Sequence, residues 1–196
     1  MEHETQKPKT TSREIWLQRL VEQLNRKLFD KKMPAYRVTC GWPSRGALAT
    51  KQRTIGQCFY PAASKDKTTE LIVSMALDDP MEVAAVIAHE MVHAVVGPEA
   101  GHKGPFRKLA LQIGLEGKMT ATVAGETFKQ TVQPILDKLG TYPHAKVDGR
   151  ERVKKQTTRL IKAVCECGYT VRITRKWIDE LGAPLCPVHG QMEASA

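Results

Sequence analysis

Apolar residues recur along the chain at two periods, and each period marks an element. Ile15, Trp16, Leu20, Leu24 and Leu28 repeat at helical spacing behind Thr11 and Ser12, either of which can cap a helix. Pro34 stops it, so the first helix is expected over about 12–33. Tyr36 to Trp42 reads as a strand, Pro43-Ser44-Arg45-Gly46 as a turn, and Ala47–Gln52 and Ile55–Tyr60 as two short strands. The run TTELIVSMA, Thr68 to Ala76, is a further strand. Next comes the best-marked helix of the chain. Asp79 and Glu82 stand at capping-box spacing, Pro80 takes the first helical position, and MEVAAVIAHEMVHAVV stops at Gly97-Pro98. It is apolar almost all round, which calls for burial on every side. A further helix is expected between Gly104-Pro105 and Gly114, and more helix over 125–139, ended by Tyr142-Pro143. The pattern then gives way to a polar stretch and a Cys-bearing tail with a strand-like Tyr169–Thr174. The expected organisation is a disordered terminus over 1–11, a core domain over 12–145, a basic linker over 146–158 and a small domain over 159–196.

Composition narrows this picture. A length of 196 residues suits one core domain with an appendage, and 41% hydrophobic with 26% charged residues excludes global disorder. No stretch approaches the ~18 apolar residues of a membrane helix. The opening MEHETQKPKTTSRE lacks the apolar core of an export signal. Five Cys are odd in number and sparse, which argues against a disulfide scaffold and for a reducing, cytoplasmic setting. Cys40 and Cys58 read as buried or partly buried thiols.

The net charge of +9 is uneven. Residues 146–176 hold ten Lys and Arg against three Asp and Glu, a local +7. One reading is a solvated linker; the other is a surface for phosphates. On the second, Lys154, Lys155, Arg159, Lys162, Arg172, Arg175 and Lys176 are the candidate nucleic-acid contacts. Tyr169 and Trp177 read either as core of the small domain or as platforms for unpaired bases.

The first chemical constellation is His89-Glu90-Met91-Val92-His93. Two His at i and i+4 share one helix face, so both imidazoles can reach one Zn²⁺. Glu90 projects beside that position, where it can take a proton from an activated water. A catalytic zinc takes three protein ligands and keeps an open position. His102 is the foremost third ligand, brought back by the glycines at 97, 101 and 104. Glu99 and Glu116 are its rivals.

The second constellation pairs Cys165-x-Cys167 with Cys186-x-x-His189. Two ligand-bearing turns joined by a hairpin form a zinc ribbon. Four protein ligands close the site, so this zinc is structural and supplies the stability that a short unit lacks. Two Zn²⁺ ions are thus expected, one catalytic and one structural.

Helix HEMVH, then GHKGPFRKLA, then a basic segment and a ribbon resemble the SprT-like zinc metalloproteases, the family of Spartan. The resemblance covers about 12–196 and is most specific from His89 to Phe106. Lys103 splits the His-Gly pair often seen there, and the insert over 115–145 is that of a bacterial or phage subset. The resemblance implies an α+β fold: a zincin-like core, with a small mixed sheet packed on the HExxH helix, followed by the C-terminal ribbon. It implies His89, His93 and His102 as ligands and Glu90 as general base. Zincins pair the substrate main chain with an edge strand above the active-site helix, which places Ile72, Val73 and Ser74 in that role. Tyr60, Tyr142 and His144 are candidate donors to the oxyanion.

The expected function is a zinc endopeptidase acting on DNA-bound or DNA-crosslinked proteins, the DNA being single-stranded in one version. The chain is expected to be a cytoplasmic, nucleoid-associated monomer without membrane contact. The alternative is a non-proteolytic nucleic-acid-binding regulator that keeps the zincin fold. A metal-dependent hydrolase of another amide bond is a third reading.

Overall fold

The computed structural model describes residues 12–149 and 160–195, and among these the apolar pattern becomes five α-helices and ten short strands. The expected terminus over 1–11, linker residues 150–158, and Lys154, Lys155 and Arg159 lie outside the described residues. The chain divides into two compact units, Met1–Arg150 and Glu151–Ala196.

Helix α1 (Arg13–Leu28) starts where Ser12 Oγ accepts the Ile15 N–H, and it buries Trp16, Leu17, Leu20, Val21 and Leu24. It stops short of the expected Met33. Asp30 and Lys31 adopt left-handed φ of 49° and 59°, and Asn25 Oδ1 accepts the Met33 N–H. Strands β1 (Tyr36–Gly41), β2 (Gly56–Phe59) and β3 (Thr69–Ser74) form one sheet in the order β1-β3-β2. β1 runs parallel to β3 and β2 antiparallel to it. The expected strand over 47–52 does not form. Gly46 O instead accepts the N–H groups of Ala49 and Thr54 and folds the segment into turns.

This order corrects one expectation. Ile72, Val73 and Ser74 were read as a substrate-pairing edge, but β3 is the central strand. Ile72 is paired with both Thr39 and Gln57, and Val73 with both Cys40 and Gly56. Ser74 pairs with Gly41 and donates its N–H to Ile55 O. No main-chain group there is left for a substrate. The free edge beside the next helix belongs to β2.

Helix α2 (Pro80–Val96) is capped by Asp79, whose Oδ1 accepts the Glu82 N–H at 2.7 Å, and it ends on Gly97 at φ 82°. Val83 to Ala88, Met91 and Val92 are buried, in keeping with its all-round apolar face. Helix α3 (Gly104–Gln112) follows, then a hairpin of β4 (Leu115–Lys118) and β5 (Ala121–Ala124) that the apolar pattern does not announce. Helix α4 (Glu126–Leu139) returns to α1, where the Trp16 indole N–H donates to Gly140 O at 3.0 Å and its ring meets Tyr142 at 4.8 Å. Val147 N–H donates to Met75 O at 2.8 Å, so the described start of the expected linker is held on this unit.

In the second unit β6 (Leu160–Val164), β7 (Thr170–Thr174), β8 (Leu185–Cys186), β9 (Gly190–Gln191) and β10 (Glu193–Ser195) form two small sheets. Their orders are β10-β6-β7 and β8-β9, and helix α5 (Arg175–Leu181) follows β7. The buried hydrophobic cluster there is Ala163, Cys165, Cys186 and Met192, against a cluster of 28 residues in the first unit. Among the described residues no helix is long and apolar enough to cross a membrane.

Gly114 tests the junction of the hairpin with α4. It sits at φ 86°, and a Cβ there would lie 2.6 Å from the Phe128 main-chain nitrogen. Gly114→Ala is expected to lower stability by roughly 2–4 kcal/mol, combining left-handed strain with overpacking. Denaturant unfolding of the two proteins measures it.

Candidate metal centres

His89 and His93 lie one turn apart on α2, and three left-handed glycines bring the third imidazole to them. Gly97, Gly101 and Gly104 have φ of 82°, 50° and 40°, and the chain between α2 and α3 turns back through them to present His102. His102 Nε2 lies 3.1 Å from His93 Nε2 and 3.3 Å from His89 Nε2. A tetrahedral ion at about 2.0–2.1 Å from imidazole nitrogen needs its ligand atoms about 3.3 Å apart. His102 meets that spacing to both of its partners, and the ligand atoms of all three lie within 4.8 Å of one another. Of the rival ligands, Glu99 and Glu116 are both exposed and neither joins the cluster. The Glu116 carboxylate lies against Gly125 instead.

The imidazoles are held in the form that binds metal. Burial first, then His93 and His102, lowers His89 to about 3. Burial and then His102 lower His93 to about 4, and burial lowers His102. Neutral imidazole keeps a lone pair for an ion. The ring of Phe106, fully buried, packs against all three at centroid distances of 4.4–4.9 Å. Tyr60 Oη lies 3.4 Å from His93 Nδ1, and Thr122 Oγ1 lies 2.8 Å from His89 Nδ1.

Glu90 is only 7% exposed. Ser74 N–H donates to Ile55 O, so the odd-numbered residues of β2 bond to β3 and Gly56 and Cys58 direct their main-chain groups to the free edge. There the Cys58 N–H donates to the Glu90 carboxylate. Burial outweighs that bond and raises Glu90 to about 8. Gly56 crosses directly over the helix: a Cβ there would meet Glu90 Oε1 and lie 2.6 Å from Val86 Cγ1. Gly56 and the Cys58 amide were not singled out from the sequence, although a glycine inside a strand signals such an approach. Of the other two candidate oxyanion donors, Tyr142 packs on Trp16. His144 Nε2 donates to Met75 O at 2.9 Å and its Nδ1 accepts from Arg13 at 3.2 Å. Both belong to the packing of α1 rather than to this cluster.

In the second unit Cys165, Cys167, Cys186 and His189 bring their ligand atoms within 4.8 Å of one another. Cys167 Sγ and Cys186 Sγ are 3.8 Å apart, and Cys186 Sγ and His189 Nδ1 3.7 Å. A tetrahedral ion bound by thiolate at about 2.3 Å asks for about 3.8 Å between sulfurs. All five cysteines are free thiols, so no disulfide competes for these ligands. N–H groups of Val188 and His189 point at Cys186 and, with the His189 ring, lower its thiol to about 6. The remaining residues of this unit with expected roles are spread over its surface. Lys162 and Arg172 are cross-strand partners on β6 and β7, and Arg175 and Lys176 open α5. Tyr169 and Trp177 are 48% and 46% exposed, which removes the reading of them as core. Lys176 Nζ sits 4.8 Å over the Trp177 ring.

No family model, curated protein or solved structure matches the chain.

Two outcomes follow from this geometry. His89 and His93 titrate below their ordinary 6.5, so their contribution to metal-free stability is present above 6.5 and lost as pH falls. Glu90 titrates above its ordinary 4.5, so its contribution is full below 4.5 and lost as pH rises through about 8. The melting temperature of the chelated first unit should therefore peak near pH 6.5, and Glu90→Gln should flatten the alkaline fall. Scanning calorimetry of both proteins across pH 4–9 checks this. In the second unit, Cys186→Ser should collapse the NMR dispersion of residues 160–195 and leave that of 12–149 unchanged, because the ligands form half of the small buried cluster.

Proposed function

We propose that the chain is a zinc-dependent endopeptidase of the SprT-like kind, with a zincin-like core and a C-terminal zinc ribbon, acting on proteins bound or crosslinked to DNA. One observation carries the reading: His102 lies at tetrahedral spacing from both His89 and His93, all three imidazoles neutral, while a buried carboxyl stands beside His89 on the same helix. A ligand set with an open fourth position suits catalysis, and a closed four-ligand set suits structure. By that distinction His89, His93 and His102 hold the catalytic zinc, and Cys165, Cys167, Cys186 and His189 the structural one.

When bound, the zinc polarises a water molecule and a peptide carbonyl. Glu90 accepts the proton of the attacking water and passes it to the leaving amide nitrogen. Its raised affinity for a proton suits both halves of that transfer. The Cys58 N–H fixes which way the carboxyl faces, and Gly56 lets β2 pass close above it. The outward carbonyls of Gly56 and Cys58, with the Gly56 N–H, offer an extended substrate a strand to pair with, in place of Ile72 to Ser74. Tyr60 stays in contention as a further donor, since its hydroxyl borders His93.

DNA association rests on the second unit. Lys162 and Arg172 stand opposite one another on β6 and β7, and Arg175 and Lys176 open α5, which gathers positive charge for phosphates on this unit. Exposed Tyr169 and Trp177 offer faces on which unpaired bases can stack.

The test uses wild-type chain and Glu90→Gln with a DNA-binding protein as substrate, with single-stranded DNA, duplex DNA or none. The expected result is DNA-dependent cleavage that drops by at least ~10²-fold in the variant while both zinc ions are retained. DNA binding without cleavage in the wild type would leave the non-proteolytic regulator as the function. Binding should weaken steeply with salt, as phosphate contacts release counterions, and a salt-independent affinity would remove the phosphate-binding surface.

A further inference from the structure

The β4-β5 hairpin between α3 and α4 reaches the imidazole cluster through Thr122, and the proposal rests on the reading that the three imidazoles hold an ion. Each of them directs Nε2 to the common point. A nitrogen that gives its lone pair to an ion carries no proton, so the proton of each ring sits on Nδ1 and needs an acceptor. For His89 that acceptor is Thr122 Oγ1 at 2.8 Å, on the inner side of the β4-β5 hairpin. Tyr60 Oη serves His93 at a longer 3.4 Å. No carboxylate occupies either place.

We propose that Thr122 is a positioning residue for the metal: it fixes the tautomer and ring angle of His89, and the β4-β5 hairpin is retained to deliver it. Three features make Thr122 suited to that. It is β-branched, so its hydroxyl has few rotamers open to it. It faces Gly117 across the hairpin, where no side chain crowds it. Its strand packs directly on α2, the helix that carries His89. A neutral hydroxyl also differs from the carboxylate partner common at such sites. It orients the imidazole without adding negative charge behind it, and so leaves the ion more electron-poor.

The experiment loads the full chain with Co²⁺ in place of Zn²⁺. The all-imidazole site then lacks the thiolate-to-metal absorption of the cysteine site, so each is followed separately during chelator competition. Thr122→Val, which keeps the shape and removes the acceptor, should weaken the imidazole site about 10–100-fold and leave the cysteine site unchanged. Thr122→Ser should restore most of that affinity. Equal affinity in wild type and Thr122→Val would overturn the role of Thr122 while leaving the metal site intact. Failure of the wild type to load the imidazole site at all would instead overturn the reading on which it rests. Melting of the metal-free proteins guards against a folding defect: loss of affinity in the valine variant counts only with its melting temperature within a few degrees of wild type, and loss that the serine variant fails to recover would also overturn the proposal.

Discussion

Two half-buried imidazoles and a buried carboxyl sit on a helix that is otherwise apolar, and much of the first unit answers to that cost. A polar group taken out of water without a partner costs on the order of 2–7 kcal/mol. Here each group finds a partner by a different route. The imidazoles are kept neutral by burial and share hydroxyl partners on their outer nitrogens. Glu90 takes the Cys58 amide from a strand that can come close only because position 56 has no side chain. Phe106 fills the space behind the three rings, so α3 is anchored by the same cluster that it helps to enclose.

What was legible in the sequence was what a few neighbouring residues decide. The Asp79 cap, the Gly97 stop and the i, i+4 spacing of His89 and His93 are local geometry, and α2 forms with the expected bounds. His102 was a choice among three candidates until the glycine dihedrals were seen, because spacing alone does not say which way a loop turns. The cluster of Cys165, Cys167, Cys186 and His189 was legible for the same local reason: each pair sits in one turn. Strand order was not. β3 is as apolar as an edge strand beside a buried helix should be, yet it lies between β1 and β2, since pairing is settled by segments far apart in sequence. Thr122 was invisible among the several threonines of its segment, as nothing in TATVAGET marks one of them as a hydrogen-bond partner of an imidazole 33 positions earlier.

The aromatic pair of the second unit shows why composition misleads in a small unit whose buried cluster includes cysteines. A short sheet ordinarily needs Tyr169 and Trp177 inside, and on that ground they could be read as core. A four-ligand cluster removes the need. With Cys165 and Cys186 doing the work of buried apolar residues, the large rings are released to the surface beside Arg172, Arg175 and Lys176.

The two clusters therefore carry different burdens, and burial separates them. In the first unit a hydrophobic core cluster of 28 buried residues exists apart from the histidines, so an ion bound there would add chemistry to a core already formed. In the second unit two of the four buried residues, Cys165 and Cys186, belong to the ligand-type cluster itself, so an ion bound there would complete the core. A site that its fold does not need for stability can keep a coordination position open and tolerate the buried carboxyl beside it. A site on which the fold depends gains from closing all four. The difference between three imidazoles and a set of three thiols with one imidazole thus follows from how much apolar surface each unit has to bury, before any reaction is considered.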